Sequence, residues 1–240
     1  MNKKIIWKGI YKKLPKNSSN YFNDKNWHKK SIKKIKLKKK ISTKIINNFI
    51  AFVILNLKKL KPTILDYGGG YGDLFFEINN KIKKNFKITV YDNNLRTIQN
   101  AKKVNKKYRN KLTYENNIKK INGKKFDIIY FGSVVQYIFD LNYIIKTVKK
   151  INPTYLIFYD LMAGNNQEFY SQQIFYGKKM NIKFYNLDLF KKSFKSIDYS
   201  PVYESEMLTK LFDNYMGLPM NNFPKKYRIK YSKYLVFKKK

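Results

Sequence analysis

The chain has 240 residues, enough for one well-buried α/β domain or one domain with an extension. It has no cysteine, which excludes disulfides and thiolate metal sites, and its single histidine argues against a histidine metal cluster and against a Ser-His-Asp triad. The formal net charge is +37, but only three of the 52 basic residues are arginine, which indicates codon bias rather than recognition of phosphates.

The first sixty residues are predicted to form an N-terminal arm and a helix that packs on the core. Residues 1–40 are polar and basic with scattered aromatic residues, and we interpret them as an irregular arm with short helical pieces. The single histidine, His28, lies in this basic segment and is interpreted as a surface residue. Apolar residues then recur at helical spacing, which predicts a helix over 39–57.

The second predicted domain covers residues 61–240 and alternates strands with helices. The predicted strands are 63–67, 86–91, 112–114, 126–131 and 155–159, and the predicted helices between them include 95–107 and 141–150. This alternation implies a parallel sheet with right-handed crossovers. An antiparallel pair, 197–203 with 231–237, is predicted to complete the sheet.

Residues 161–195 interrupt this alternation. They are rich in Gln, Asn, Tyr and Phe, and they follow the fifth predicted strand directly. We interpret them as a lid-like insertion, with a helix near 188–194 and with the N-terminal arm as a second part of the lid.

A glycine-rich turn joins the first predicted strand to a helix. It reads Asp66-Tyr67-Gly68-Gly69-Gly70-Tyr71-Gly72. A dinucleotide fingerprint needs G-x-G-x-x-G, but Asp73 or Phe75 stands where its third glycine would fall. The pattern D-x-G-x-G-x-G resembles motif I of the class I, Rossmann-like methyltransferases. The resemblance implies S-adenosylmethionine (SAM) as the cofactor, a mostly parallel seven-stranded sheet with helices on both faces, and cofactor binding by Asp66, Gly68, Gly70 and Gly72.

Three further positions are candidates for cofactor binding. Asp92 ends the second predicted strand, where a carboxylate can accept both ribose hydroxyls, although it could also be a turn residue. Asn117 follows the third strand and could hydrogen-bond the adenine amino group. Ser133 opens a segment after the fourth strand that resembles the sulfonium-side segment of many small-molecule methyltransferases, although an ordinary strand-to-helix turn would look the same.

A narrower resemblance spans nearly the whole chain. The opening W-x-G-x-Y, from Trp7 to Tyr11, is similar to that of a family of SAM methyltransferases whose genes tend to lie in bacterial surface-polysaccharide clusters. The likeness continues through the glycine turn and through the segments 133–138, 172–176 and 234–238. It implies an enzyme that methylates a sugar or a polysaccharide precursor.

The candidate catalytic residues are Asp160, Gln136 and Tyr137. Methyl transfer depends mainly on holding the two reacting atoms close together in a dry site, so no catalytic dyad is required. Asp160 ends the fifth predicted strand and could serve as a base or as a helix cap. Gln172, Gln173 and Tyr176 could bind a hydroxyl-rich acceptor or could form a polar surface helix.

The predicted function is a SAM-dependent methyltransferase that acts on a small hydroxylated acceptor. The alternatives are a nucleic-acid methyltransferase or RNA-binding protein, suggested by the charge, and a non-catalytic scaffold. We expect a small-molecule partner, no specific nucleic-acid partner and no metal. No apolar run reaches the length of a membrane span and the N-terminus lacks a signal-peptide pattern, so we expect a cytoplasmic protein.

Overall fold

The computed structural model describes residues 6–38, 48–175, 177–211 and 214–240. The chain divides into two units. The first, the glycine-loop unit, comprises Phe22–Phe131 and Thr147–Ile157; the second, the hairpin unit, comprises Met1–Tyr21, Gly132–Lys146 and Phe158–Lys240. The predicted division at residue 60 stays a prediction.

The described residues contain seven α-helices and thirteen strands. The helices are α1 (Lys25–Lys38), α2 (Asn48–Asn56), α3 (Asp73–Asn79), α4 (Leu95–Val104), α5 (Ile118–Asn122), α6 (Leu141–Ile151) and α7 (Leu187–Lys195). The strands are β1 (Trp7–Tyr11), β2 (Thr63–Tyr67), β3 (Lys87–Tyr91), β4 (Leu112–Glu115), β5 (Ile128–Gly132), β6 (Tyr155–Leu161), β7 (Ala163–Gly164), β8 (Phe169–Phe175), β9 (Lys178–Asn186), β10 (Tyr199–Met207), β11 (Thr209–Leu211), β12 (Asn214–Met216) and β13 (Ser232–Lys239).

Seven strands form the main sheet, in the order β10-β13-β6-β5-β2-β3-β4. The pairs β2–β3, β2–β5 and β3–β4 are parallel, whereas β10 and β13 pair antiparallel. The predicted α/β class with a mostly parallel seven-stranded sheet is therefore confirmed, and so is the late antiparallel pair.

The sequence of β2 explains its central place in this sheet. Its last four residues are buried, as expected for a parallel strand that is covered on both faces. A polar anchor fixes its beginning. The Asp127 carboxylate accepts hydrogen bonds from the backbone N–H of Thr63 at 2.7 Å, from the Thr63 hydroxyl at 2.8 Å and from Lys59 Nζ at 3.0 Å. This anchor holds the register in which Ile64 faces Ile128.

A second sheet, in the order β1-β8-β9-β7, lies in the hairpin unit. The prediction of an irregular arm is wrong for residues 7–11, because β1 pairs antiparallel with β8. The insertion 161–195 contains the hairpin of β8 and β9 together with α7, and only α7 was predicted. Because β1 takes its backbone partners from residues more than 150 positions away, no local pattern could reveal it.

The W-x-G-x-Y opening has a structural explanation. Trp7 is fully buried, and its ring meets Phe184 edge-on at a centroid distance of 5.5 Å. Gly9 has a φ of 79°, and a Cβ there would overlap the ring of Tyr11. The Trp7 carbonyl accepts a hydrogen bond from Asn222 Nδ2 at 2.9 Å. These three motif residues therefore anchor β1 in the core of the hairpin unit.

The predicted helix over 39–57 is confirmed for the part that α2 covers, and residues 39–47 lie outside the described residues. In the part of the chain that the structure describes, every helix is too short or too polar to cross a membrane. Over the same residues, no three acidic or histidine side chains form a group that could hold a metal ion.

Candidate functional site

The glycine turn between β2 and α3 borders open space at Gly70. Gly70 has a φ of 56°, a conformation that L-residues adopt at a cost of about 1–2 kcal/mol, and a Cβ built on it would meet no atom within 4 Å. Gly72 has a φ of 79°, and its Cβ would lie 2.8 Å from the Tyr114 hydroxyl. One glycine therefore leaves room for a ligand, and the other allows a buried tyrosine to pack beneath the turn.

The carboxylate of Asp66 packs against the backbone of the turn at Gly69. Asp66 is 3% exposed, and a Cβ on Gly69 would overlap its carboxylate. The first glycine of the turn, Gly68, donates its N–H to the Tyr91 carbonyl at 2.7 Å. Asp66 and Gly68 are thus placed to hold the backbone of the turn, and direct contact with a cofactor stays a prediction for both.

Asp92 links the end of β3 to the same turn. Its Oδ1 accepts a hydrogen bond from the backbone N–H of Asn94 at 2.9 Å, and the backbone N–H of Gly70 also donates to its carboxylate. Burial raises the pKa of Asp92, and these two donors oppose that rise. The hydrogen bond expected of a turn residue is present, and the contact with Gly70 places the carboxylate beside the open space.

A buried polar network lies beneath the turn. The Tyr71 carbonyl accepts hydrogen bonds from Asn105 Nδ2 at 3.0 Å and from the Tyr114 hydroxyl at 2.9 Å. Asn105 Nδ2 also lies 2.6 Å from the Tyr114 oxygen. These contacts fix the backbone of the turn at Tyr71, the residue between Gly70 and Gly72. Neither Asn105 nor Tyr114 was singled out from the sequence.

Asn117 is exposed and caps helix α5, because its Oδ1 accepts a hydrogen bond from the Lys119 N–H at 2.9 Å. Its proposed contact with adenine stays a prediction.

His28 was expected at the surface, and that prediction is wrong. It is 4% exposed, and its Nδ1 lies 2.9 Å from the hydroxyl of Tyr71. Asn94 Nδ2 donates to Asn23 Oδ1 at 2.7 Å, so the segment before α1 is also tied to the end of β3. The only sequence signal for this arrangement was the aromatic residues around His28, among them Phe22 and Trp27.

In the hairpin unit, Ser133 and the buried Asp160 form a hydrogen-bonded pair. The Ser133 hydroxyl donates to Asp160 Oδ2 at 2.8 Å, and the Ser133 N–H donates to the Tyr159 carbonyl at 2.8 Å. Both residues have positive φ values, 54° and 57°. Such backbone strain is commonly found at functional sites. The structure therefore gives the Ser133 hydroxyl a protein partner, and its role toward the cofactor stays a prediction.

The Asp160 carboxylate has two further hydroxyl partners, Thr209 and Ser232. Thr209 Oγ1 donates to Asp160 Oδ1 at 2.8 Å, and Ser232 is hydrogen-bonded to the same carboxyl group. Burial raises the pKa of Asp160, while these hydroxyls favour its ionised form. The arrangement orients the ends of three segments in the hairpin unit. A role for Asp160 as a base remains a prediction.

An Asp160→Ala variant is expected to lower the free energy of unfolding by roughly 2–4 kcal/mol, because the hydroxyls of Ser133, Thr209 and Ser232 each lose a hydrogen bond to the carboxylate. Urea denaturation of the two proteins would measure the difference. Ser133→Ala removes one of these hydroxyls and should cost about 1 kcal/mol. Equal stability of Asp160→Ala and the parent would contradict the anchoring role.

Gln136 and Tyr137 lie in a short 3-10 helix, Val135–Tyr137. Gln136 is 2% exposed, and its Oε1 has no hydrogen-bond partner among the described residues. The Tyr137 hydroxyl donates to Gln173 Oε1 at 2.8 Å. Burial raises the pKa of Tyr137 well above its ordinary value, so its phenol stays protonated.

The two glutamines of β8, Gln172 and Gln173, have different contacts. Gln172 Nε2 donates to the Asn17 carbonyl at 2.5 Å and to Asn181 Oδ1 at 3.2 Å, so Gln172 anchors the N-terminal arm. Gln173 contacts Tyr137. The interpretation of this segment as a surface helix is excluded, because residues 169–175 form a strand. Tyr176 lies outside the described residues.

A mostly parallel α/β sheet with a D-x-G-x-G-x-G turn after a buried strand defines the class I SAM-dependent methyltransferases. The sequence matches the family described as a methyltransferase domain over residues 58–201. This match covers more than half of the chain, and the chain belongs to that family. It is thus an enzyme that uses SAM, and the open space at Gly70 fits a cofactor that must approach the backbone closely.

Solved structures show the same fold. The magnesium protoporphyrin IX methyltransferase (ChlM) from Synechocystis PCC 6803, with bound SAH, has a TM-score of 0.56 at 13% identity over 92% of this chain and 96% of that chain. A SAM-dependent methyltransferase from Clostridium acetobutylicum has a TM-score of 0.52 at 15% identity over 90% and 99%.

TehB from Haemophilus influenzae has a TM-score of 0.55 at 18% identity. The match covers 85% of this chain and 65% of TehB, so the chain spans just under two thirds of that protein. A comparison with curated proteins finds no match.

Proposed function

We propose that this methyltransferase transfers the methyl group of SAM to a hydroxyl group of a small acceptor, a sugar or a precursor of a surface polysaccharide. The observation that carries the proposal is the buried, unpartnered amide oxygen of Gln136 in the hairpin unit. The family resemblance of the sequence supports the choice of a sugar.

The amide oxygen of Gln136 is expensive to bury without a partner. Leaving a buried polar atom unsatisfied costs about 1–3 kcal/mol. Gln136 Oε1 has no hydrogen-bond partner among the described residues, although only 2% of the residue is exposed. A hydroxyl group of the acceptor would satisfy this atom. Polar groups held in place before the ligand arrives are what a site for a hydroxylated molecule requires.

The Tyr137 hydroxyl, in the residue that follows Gln136 in the same 3-10 helix, provides a second polar group through its contact with Gln173. Because the raised pKa of Tyr137 keeps its phenol protonated, it donates its proton to Gln173 Oε1, retains its oxygen as an acceptor, and cannot act as a base at neutral pH. We infer that Gln136, Tyr137 and Gln173 orient the acceptor.

The sheet β1-β8-β9-β7 is proposed to act as the lid over the acceptor. It joins the N-terminal arm to the insertion 161–195 through β1–β8 pairing. Polar contacts reinforce the junction, because Asn181 Nδ2 donates to the Pro15 carbonyl at 2.7 Å and Gln172 binds the Asn17 carbonyl. A lid that is tied together in this way could exclude water from the reacting groups.

When bound, SAM supplies an electrophilic methyl group. The residues of the chain then have three tasks: to hold the cofactor at the glycine turn, to orient the acceptor hydroxyl, and to accept its proton. We assign the first task to the glycine turn with Asp66, Asp92, Asn117 and Ser133. We assign the second to Gln136, Tyr137 and Gln173. Asp160 is the candidate for the third, since a carboxylate with a raised pKa is a better base than an ordinary one.

A Gln136→Met variant is expected to lower kcat/KM for the acceptor roughly tenfold, the equivalent of about 1.4 kcal/mol. SAM binding should stay within about twofold of the parent value. The folded protein should be as stable as the parent or slightly more stable, because an unpaired amide is replaced by an apolar group of similar volume.

The exposed Gln99 on α4 offers a matched control, since Gln99→Met makes the same chemical change at the surface. A Gln136→Met variant that loses stability and keeps full activity would assign the amide to the fold instead of the acceptor.

The substrate class is tested directly with radiolabelled SAM. The protein is offered nucleotide sugars and polysaccharide precursors, with bulk RNA and bulk protein as parallel samples. Label in a sugar fraction would support the proposal. Label only in RNA or protein would refute the choice of acceptor and leave the methyltransferase assignment intact.

A further inference from the structure

A histidine from α1 contacts the side chain of the glycine turn. His28 Nδ1 and the Tyr71 hydroxyl are 2.9 Å apart, and both residues are buried, at 4% and 3% exposure. Tyr71 lies between Gly70, which borders open space, and Gly72, which packs against Tyr114. Any displacement of Tyr71 would therefore shift the backbone on which the cofactor rests.

Aromatic contacts hold this histidine in place. The rings of Trp27 and His28 are 5.0 Å apart, and those of Trp27 and Tyr71 are 5.9 Å apart. Phe22 meets Trp27 edge-on at 5.3 Å. The cluster leaves the imidazole with one defined hydrogen-bond partner. Its other nitrogen, Nε2, is buried without a partner among the described residues.

Tyr71 is held at both ends. Its backbone carbonyl accepts from Asn105 and Tyr114, and its phenol is hydrogen-bonded to Asn100 as well as to His28. Burial lowers the pKa of His28, and the charge of Arg96 acts in the same direction while Asp24 opposes it. The imidazole is thus neutral at pH 7, and its Nδ1 can accept the proton of the Tyr71 hydroxyl.

We propose that His28 is a positioning residue for the cofactor: through its Nδ1 contact with Tyr71 it fixes the glycine turn in the conformation that binds SAM. It acts on the cofactor through Tyr71. The inference rests on the SAM site and is independent of the proposed acceptor. A failure of the sugar assignment would leave it standing, because the test measures binding of SAM alone.

Two amide substitutions distinguish the two imidazole nitrogens. In His28→Asn the amide group can take the place of Nδ1, and in His28→Gln it can take the place of Nε2. Isothermal titration calorimetry with SAM is the measurement. We expect His28→Ala to weaken SAM binding roughly tenfold, His28→Asn to bind within about threefold of the parent, and His28→Gln to remain as weak as His28→Ala.

Ile35→Ala is the control for a loss of packing, since Ile35 is fully buried on the same helix. It should lower the melting temperature at least as much as His28→Ala and leave the SAM affinity within about twofold. Three results would overturn the proposal: parent-like affinity of His28→Ala, an equal loss in Ile35→Ala, or rescue by His28→Gln in place of His28→Asn. The last would mean that the histidine acts through Nε2.

Discussion

A Gly70→Leu variant is expected to lose SAM binding, with an affinity roughly a hundredfold or more below that of the parent, equivalent to at least about 2.7 kcal/mol. The open space at Gly70 is the physical reason, because a Cβ there would meet no protein atom within 4 Å, and a leucine side chain would extend into the volume proposed for the ligand. Calorimetry with SAM measures the loss directly, and the same titration with S-adenosylhomocysteine should give the same result.

Backbone strain at Gly70 must be separated from loss of ligand space. Gly177 is the matched control, because it also has a positive φ, 71°, and a Cβ there would also meet nothing within 4 Å. Gly177→Leu should therefore carry a similar conformational cost of about 1–2 kcal/mol and keep its affinity for SAM. If Gly70→Leu binds SAM as the parent does, the cofactor does not use this space.

An Asp92→Ala variant is expected to weaken SAM binding by roughly 1.5–3 kcal/mol, or about ten- to 150-fold. The carboxylate is proposed to accept the ribose hydroxyls, and it also accepts the N–H of Gly70, so its loss would remove a ligand contact and loosen the turn. Calorimetry again gives the change in affinity, and thermal unfolding without ligand reports how much of the effect is structural.

Asp140 provides the control for Asp92. It makes the same local turn contact, since its Oδ1 accepts the N–H of Asn142 at 2.9 Å, as that of Asp92 accepts the N–H of Asn94. Asp140→Ala should remove such a contact without changing SAM affinity. Equal effects of the two substitutions would mean that Asp92 acts only as a turn residue.

The position of Asp92 in the sequence is compatible with two roles, and the residue can have both. Its position after a strand predicted both a ribose contact and a turn, and the structure contains the turn hydrogen bond together with a link to Gly70. The link was not visible in the sequence, because 22 positions separate the two residues and only the parallel pairing of β2 with β3 brings them together.

The sequence by itself determined the class of the protein. A short buried strand, a glycine turn and a helix are contiguous in the chain, so the signal is local and needs no knowledge of the rest of the fold. The alternation of strands and helices predicted the parallel sheet for the same reason, since each strand has its own apolar run. The late antiparallel pair was also evident from its own segments.

Only the tertiary structure decided how the surroundings of the site are built. The strand β1 exists because β8 supplies its hydrogen-bond partners, and the burial of His28 follows from the packing of α1 near the glycine turn. The hydroxyl groups around Asp160 come from residues 27 to 72 positions away. Such contacts join residues whose local sequence is ordinary and polar. These residues become neighbours only when distant segments of the chain pack together, so composition and periodicity do not predict their contacts.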